Sequence, residues 1–222
     1  MFKAIVFKEW VKIRWAYGAA AVVCLLMLGN IVLNLNHDIK FNTPIAVWSA
    51  IVFQGYQYYG GLRFIPLFVG LMVAAAQFIP EMVTSRLKLS LHLPVRENSI
   101  VLQMLAVGLI AVAALLLVAV LLLSVISLYY FPTQILRSAL FSSAPWFLAG
   151  LVGYLGLSAI IIEPRWVRRA FLLIVSYGVI DSLLLAVNYE TFIPLLPSAT
   201  LVAACFTLAI VFTGYRFRRG VR

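Results

Sequence analysis

The residues that could do chemistry are few and scattered. The chain holds seven acidic residues, two histidines and two cysteines among its 222 residues. Cys24 and Cys205 both sit inside apolar runs. Buried small side chains are the expectation there, in preference to a disulfide or a metal ligand. No His, Cys and carboxylate residues cluster at metal-ligand spacing, and no nucleophile has a base at a recognisable spacing. A Gly-x-x-x-x-Gly-Lys-Ser/Thr loop is also absent from the sequence. The expectation is a chain with no catalytic residue and no cofactor or metal of its own.

The densest polar stretch is PEMVTSRLKLSLHLPVR, residues 80–96. It places Glu81, Thr84, Arg86, Lys88, Leu91, His92 and Pro94 between two long apolar segments. Its periodicity admits two readings. Val83, Leu87 and Leu91 fall at i, i+4 and i+8, which suits a helix; Leu87, Leu89, Leu91 and Leu93 alternate with polar residues, which suits a strand. A helix continuing out of the preceding segment is favoured, because a lone strand leaves its edges unpaired. Pro94 then ends or turns it. A second short polar run begins at Glu163, Pro164, Arg165 and Trp166 and is a topology anchor or a further contact. Two isolated polar residues lie within apolar segments. Gln77 wants an interhelical partner, or lines a path. Asp181 is the acid deepest in its segment, and an intramembrane acid is a functional candidate in transport or gating.

The elements that must position these residues belong in lipid. The chain is 64% hydrophobic and only 11% charged, with a mean hydropathy of +1.07. Soluble domains are nearer half apolar and a quarter charged. One membrane domain over residues 1–222 is expected, all-α and polytopic. Six segments have the length and apolarity of a span: residues 15–35, 63–80, 99–128, 141–162, 170–187 and 192–215. The Gly150, Gly153 and Gly156 strip in the fourth is expected to pack a neighbouring helix.

Six spans put both termini on one side, and lysine and arginine decide which. With the N-terminus inside, 14 of the 17 basic residues fall on the cytoplasmic side and Lys40, Arg63 and Arg137 fall outside. The net charge of +10 then faces anionic headgroups rather than nucleic acid. Residues 1–14 read as an amphipathic interfacial helix, with Phe2, Ile5, Val6, Trp10 and Ile13 on one stripe and the lysines toward headgroups. No cleavable signal peptide is read there. Residues 36–62 read as an outer loop holding a short interfacial helix capped at Asn42-Thr43-Pro44, with an outer-gate role as the sharper reading. Trp48, Phe53, Tyr56, Tyr58 and Tyr59 would form its aromatic belt.

The stretch at 81–102 resembles the first coupling segment of ATP-binding-cassette permeases of the type-2 exporter family. The resemblance rests on Glu81, the leucines 87, 89 and 91, then Leu93-Pro94-Val95, Arg96 and Ile100-Val101-Leu102. Where the family has Gly-Thr after an acidic cluster, this chain has Thr84-Ser85-Arg86, and of the cluster only Glu81 remains. The resemblance implies that residues 81–93 form a cytoplasmic coupling helix that docks on a separate ATPase subunit, two copies per complex, which would bring ATP and Mg. It implies a second permease chain, the same or related, and a smaller ATPase contact at Glu163, Arg165 and Trp166. It also implies export across the cytoplasmic membrane of a bacterium. A secondary transporter is the rival reading, as is an intramembrane enzyme or scaffold. The halves 1–111 and 112–222 show no convincing repeat of the kind many secondary transporters carry.

Overall fold

The computed structural model describes residues 2–83, 97–185 and 196–218. Among these the chain is helical and contains no strand. The helices are α1 (Phe2–Phe53), α2 (Ile65–Val83), α3 (Glu97–Tyr130), α4 (Thr133–Ile162), α5 (Trp166–Leu184) and α6 (Leu196–Arg218). A single 3-10 turn, Gly60–Leu62, lies between α1 and α2.

Four segments are long and apolar enough to cross a membrane: Lys3–Phe41, Gly60–Val83, Ile100–Tyr130 and Thr133–Ile162. They correspond to the first four expected spans. The helix α5 falls short by composition, because Arg168, Arg169 and Asp181 fall within its 19 residues. In α6 the apolar stretch among the described residues is Thr200–Ile210.

The N-terminal region differs most from expectation. Neither a separate interfacial helix nor a short loop helix is formed. Instead α1 runs unbroken for 52 residues, about 78 Å if straight. Nothing in KIRWAYGAAA stops a helix, since it has no proline and only one glycine. The expected cap at residues 42–44 lies inside α1, and the chain leaves the helix only after Phe53, turning at Gly55 with φ of 67°. Yet the Tyr56 hydroxyl lies 3.3 Å from Asp38 Oδ2, while Tyr56 is tied to the carbonyl of Ala50. A straight helix separates residues 38 and 50 by about 18 Å. The axis therefore bends between them, and Pro44, which has no N–H to bond back to residue 40, accounts for the bend.

The expected aromatic belt divides in two. Trp48, Phe53 and Tyr56 are exposed, but Tyr58 and Tyr59 are buried. Tyr58 packs on Phe131 and Tyr59 on Trp146, with ring centroids 5.0 and 5.6 Å apart. The Tyr58 hydroxyl shares a 2.7 Å hydrogen bond with Ser127. These two tyrosines therefore plug the core between α3 and α4 rather than anchoring at an interface. Cys24 is buried as expected, whereas Cys205 is exposed on α6.

The centre of the bundle is α4, which packs on α2, α3, α5 and α6. The glycine strip is what lets it do so. A Cβ on Gly70 of α2 would stand 2.0 Å from the carbonyl oxygen of Gly150 on α4, and one on Gly150 would stand 2.5 Å from that of Pro66. Backbone touches backbone at this crossing, so neither side can give way. Gly153 meets Leu67 of α2, while Gly156 meets Ser176 of α5. On this basis Gly70→Ala should cost about 1–3 kcal/mol through overpacking, read as a lower denaturation midpoint in detergent. Gly178→Ala, which meets nothing within 4 Å, is the matched control and should leave the midpoint unchanged.

Candidate functional site

The most concentrated polar chemistry lies between α1, α2, α3 and α4, at the end of α2 that leads into residues 84–96. Helical spacing on α1 turns Lys8, Glu9 and Lys12 toward the same neighbour. On α2, Gln77 and Glu81 are one turn apart and face them. Glu9, Gln77 and Glu81 are all buried, none more than 1% exposed.

Glu81 Oε1 is the meeting point. Lys8 Nζ lies 3.0 Å from it, and Lys12 Nζ donates to it directly. Lys12 also donates to Glu9 Oε1 at 2.7 Å. Two ammonium groups and two carboxylates therefore form a formally neutral quartet, with Lys12 bridging both acids. Burial makes each charge expensive alone and makes the balance matter. Glu81 Oε2 has no hydrogen-bond partner among the described residues.

Gln77 extends the cluster inward. Its Nε2 donates to Glu9 Oε2 at 3.1 Å and to the carbonyl of Met104 on α3 at 2.8 Å. Its Oε1 accepts from the Tyr154 hydroxyl of α4 at 2.8 Å. Gln77 thus uses both ends of its amide to join four helices. Gly108 makes the space: a Cβ there would stand 2.1 Å from both Gln77 Oε1 and the Tyr154 oxygen. One turn further along α4, Ser158 donates to the carbonyl of Tyr154 at 2.6 Å.

The residues picked out by sequence fare differently. Gln77 has the interhelical partners expected of it. Glu81 is buried against α1, so its side chain faces inward and offers no outward contact. Thr84, Arg86, Lys88, Leu91, His92 and Pro94 lie outside the described residues. At the second polar run, Glu163 is buried and its carbonyl accepts from Arg169 Nη2 at 2.9 Å. Trp166 is 78% exposed, beneath the Arg169 guanidinium at 5.0 Å, and Arg165 is half-buried. Of that trio, Trp166 presents most of the surface. Asp181 is exposed near the end of α5 and makes no ion pair among the described residues.

Sequence reading missed Lys8, Glu9 and Lys12 as site residues. The signal was present, because a lone glutamate lay among lysines at i−1 and i+3 in an otherwise apolar helix. Reading the lysines as headgroup contacts hid it. No group of three or more His, Cys, Asp or Glu residues suited to a metal ion occurs among the described residues. No protein-family model, no curated protein and no solved structure matches the chain.

The quartet can hold α1 against α2 and carry a displacement of one to the other. Chemically it can also exchange protons, since two carboxylates share one ammonium. Removing one member should be costly and removing a pair should not. Glu81→Gln leaves an excess buried cation and should lose about 3–5 kcal/mol. The double variant Lys12→Met/Glu81→Met keeps Lys8 opposite Glu9 and should recover most of that loss. A double-mutant cycle on denaturation midpoints in detergent checks it, and additive losses would argue against the pairing.

Proposed function

We propose that the chain is the six-span permease subunit of an ATP-driven exporter. In this reading both termini are cytoplasmic, and residues 84–96 take the push of a separate ATPase subunit. Two permease chains form the path, and two ATPase subunits bring ATP and Mg. The complex sits in the cytoplasmic membrane of a bacterium.

One observation carries the reading. The helix that leads into residues 84–96 is described as far as Val83, and two residues before it Glu81 is clamped by Lys8 and Lys12 of α1. A force applied to the segment reaches α1 through buried ion pairs, and reaches α3 and α4 through Gln77. Transmission of that kind is what a permease without its own ATPase requires, because rocking of packed helices must follow from events at its surface. The bias of 14 basic residues to 3 supports the orientation.

A second reading has its own support. Two fully buried carboxylates, Glu9 and Glu81, share Lys12. Paired acids within a membrane domain are the equipment of a proton-coupled secondary transporter. Under that reading no ATPase is needed and the quartet itself is the coupling site.

Purification in mild detergent separates the two. A nucleotide-binding subunit should accompany the wild type and be lost with Leu91→Asp, while the variant still inserts. The Lys12→Met/Glu81→Met variant should retain the ATPase but lose at least about tenfold in transport-linked ATP turnover, about 1.4 kcal/mol of coupling. Glu81→Lys is a poor probe of docking, since it would bring a third cation against Lys8 and Lys12 at a buried position. A wild-type chain that carries no ATPase, yet moves protons down a pH gradient in liposomes, would overturn the exporter reading in favour of the second.

A further inference from the structure

The bend in α1 does more than shorten the helix. On its concave side lies an open cleft of about 420 Å3, within the size range of small-ligand sites. Asp38, Val47, Ser49, Ala50, Gln54 and Tyr56 line it. The lining combines an apolar floor with a carboxylate, a hydroxyl, an amide and a phenol. Asp38 is its single charged residue.

The protein is formally +10, and its buried acids Glu9 and Glu81 are answered by lysines. Among the described residues Asp38 has no lysine or arginine partner. It accepts a 3.3 Å hydrogen bond from the Tyr56 hydroxyl. His37 Nδ1 stands 3.9 Å from its other oxygen, on an exposed ring that is charged only when protonated. Tyr56 is 44% exposed at the rim. A carboxylate beside an accessible aromatic ring is the combination that recognises ammonium groups, and the apolar floor formed by Val47 and Ala50 suits a short alkyl tail.

We infer that the cleft of α1 at Asp38 and Tyr56 binds an organic ammonium group carrying an apolar tail. A soluble amine and a phosphatidylethanolamine headgroup share this chemistry. The site is separate from the Lys–Glu quartet and holds whichever energy source drives the protein.

The test uses the full chain in maltoside detergent, which carries no ammonium group, at pH 8, above the ordinary imidazole range. Butylammonium is titrated by calorimetry, with butanol as the uncharged control. Saturable binding is expected for butylammonium and not for butanol. Asp38→Asn should weaken it at least about tenfold, through loss of the one negative charge lining the cleft. Tyr56→Leu should weaken it as well, and helical circular dichroism reports that both variants remain folded. Short-chain phosphatidylethanolamine is then added. Competition assigns the site to the lipid headgroup, and its absence assigns it to soluble amines. No saturable binding to wild type, or equal affinity in wild type and Asp38→Asn, overturns the inference. Loss of ATPase co-purification would leave this result untouched, so the two readings fail separately.

Discussion

Everything at the polar end of this bundle depends on charge balance in a place with little water. Lys8, Lys12, Glu9 and Glu81 are two cations and two anions held within contact of one another. In a low-dielectric interior an unpaired member would cost several kcal/mol, and the balanced set costs far less. Their positions are therefore not independent. Gln77 can sit fully buried because Glu9 and the Met104 carbonyl satisfy its N–H groups and Tyr154 satisfies its oxygen. Tyr154 can be buried only because Gln77 and the Leu105 carbonyl take its hydroxyl.

Small residues set the distances at which this balance works. Gly70 and Gly150 bring α2 and α4 to backbone contact. That approach carries Tyr154 to Gln77, and Gly108 leaves the notch in which both oxygens meet. Lipid supplies no hydrophobic drive between helices, so such close contacts and buried hydrogen bonds must hold the helices together. The tyrosines at 58 and 59 serve the other end of α3 and α4 in a different way, by filling space with rings.

Much of the fold was legible in the sequence. Apolar length located the second and third apolar helices within about three residues, and the first and fourth with starts about twelve and eight residues late, because lipid imposes a nearly binary requirement on each position. The glycine strip announced a close helix crossing, and Gln77 announced a partner. What escaped had a common cause, which is that the sign of a residue's surroundings is a tertiary property. Lys8 and Lys12 look the same whether they meet headgroups or carboxylates, and only Glu81, 69 residues beyond Lys12, decides. Tyr58 and Tyr59 have the composition of an interface belt but are drawn inward by Phe131 and Trp146. The continuity of α1 was obscured by Pro44, which reads as a helix start yet lies inside α1 and is the residue that accounts for its bend. The coupling stretch expected at 81–93 lies outside the described residues from 84 onward and stays a sequence argument.

The distance along the chain between Glu9 and its partners has a consequence for assembly. Gln77 lies 68 residues after Glu9, and the two meet only once α2 has been made and inserted. During synthesis, the first helix is therefore made with Lys8, Glu9 and Lys12 still lacking Glu81 and Gln77. Arrival of α2 then offers Glu81, and the N-terminal turns can draw inward. The quartet is thus complete only when the second apolar helix stands beside the first, and the Glu9 carboxylate is buried only from that point.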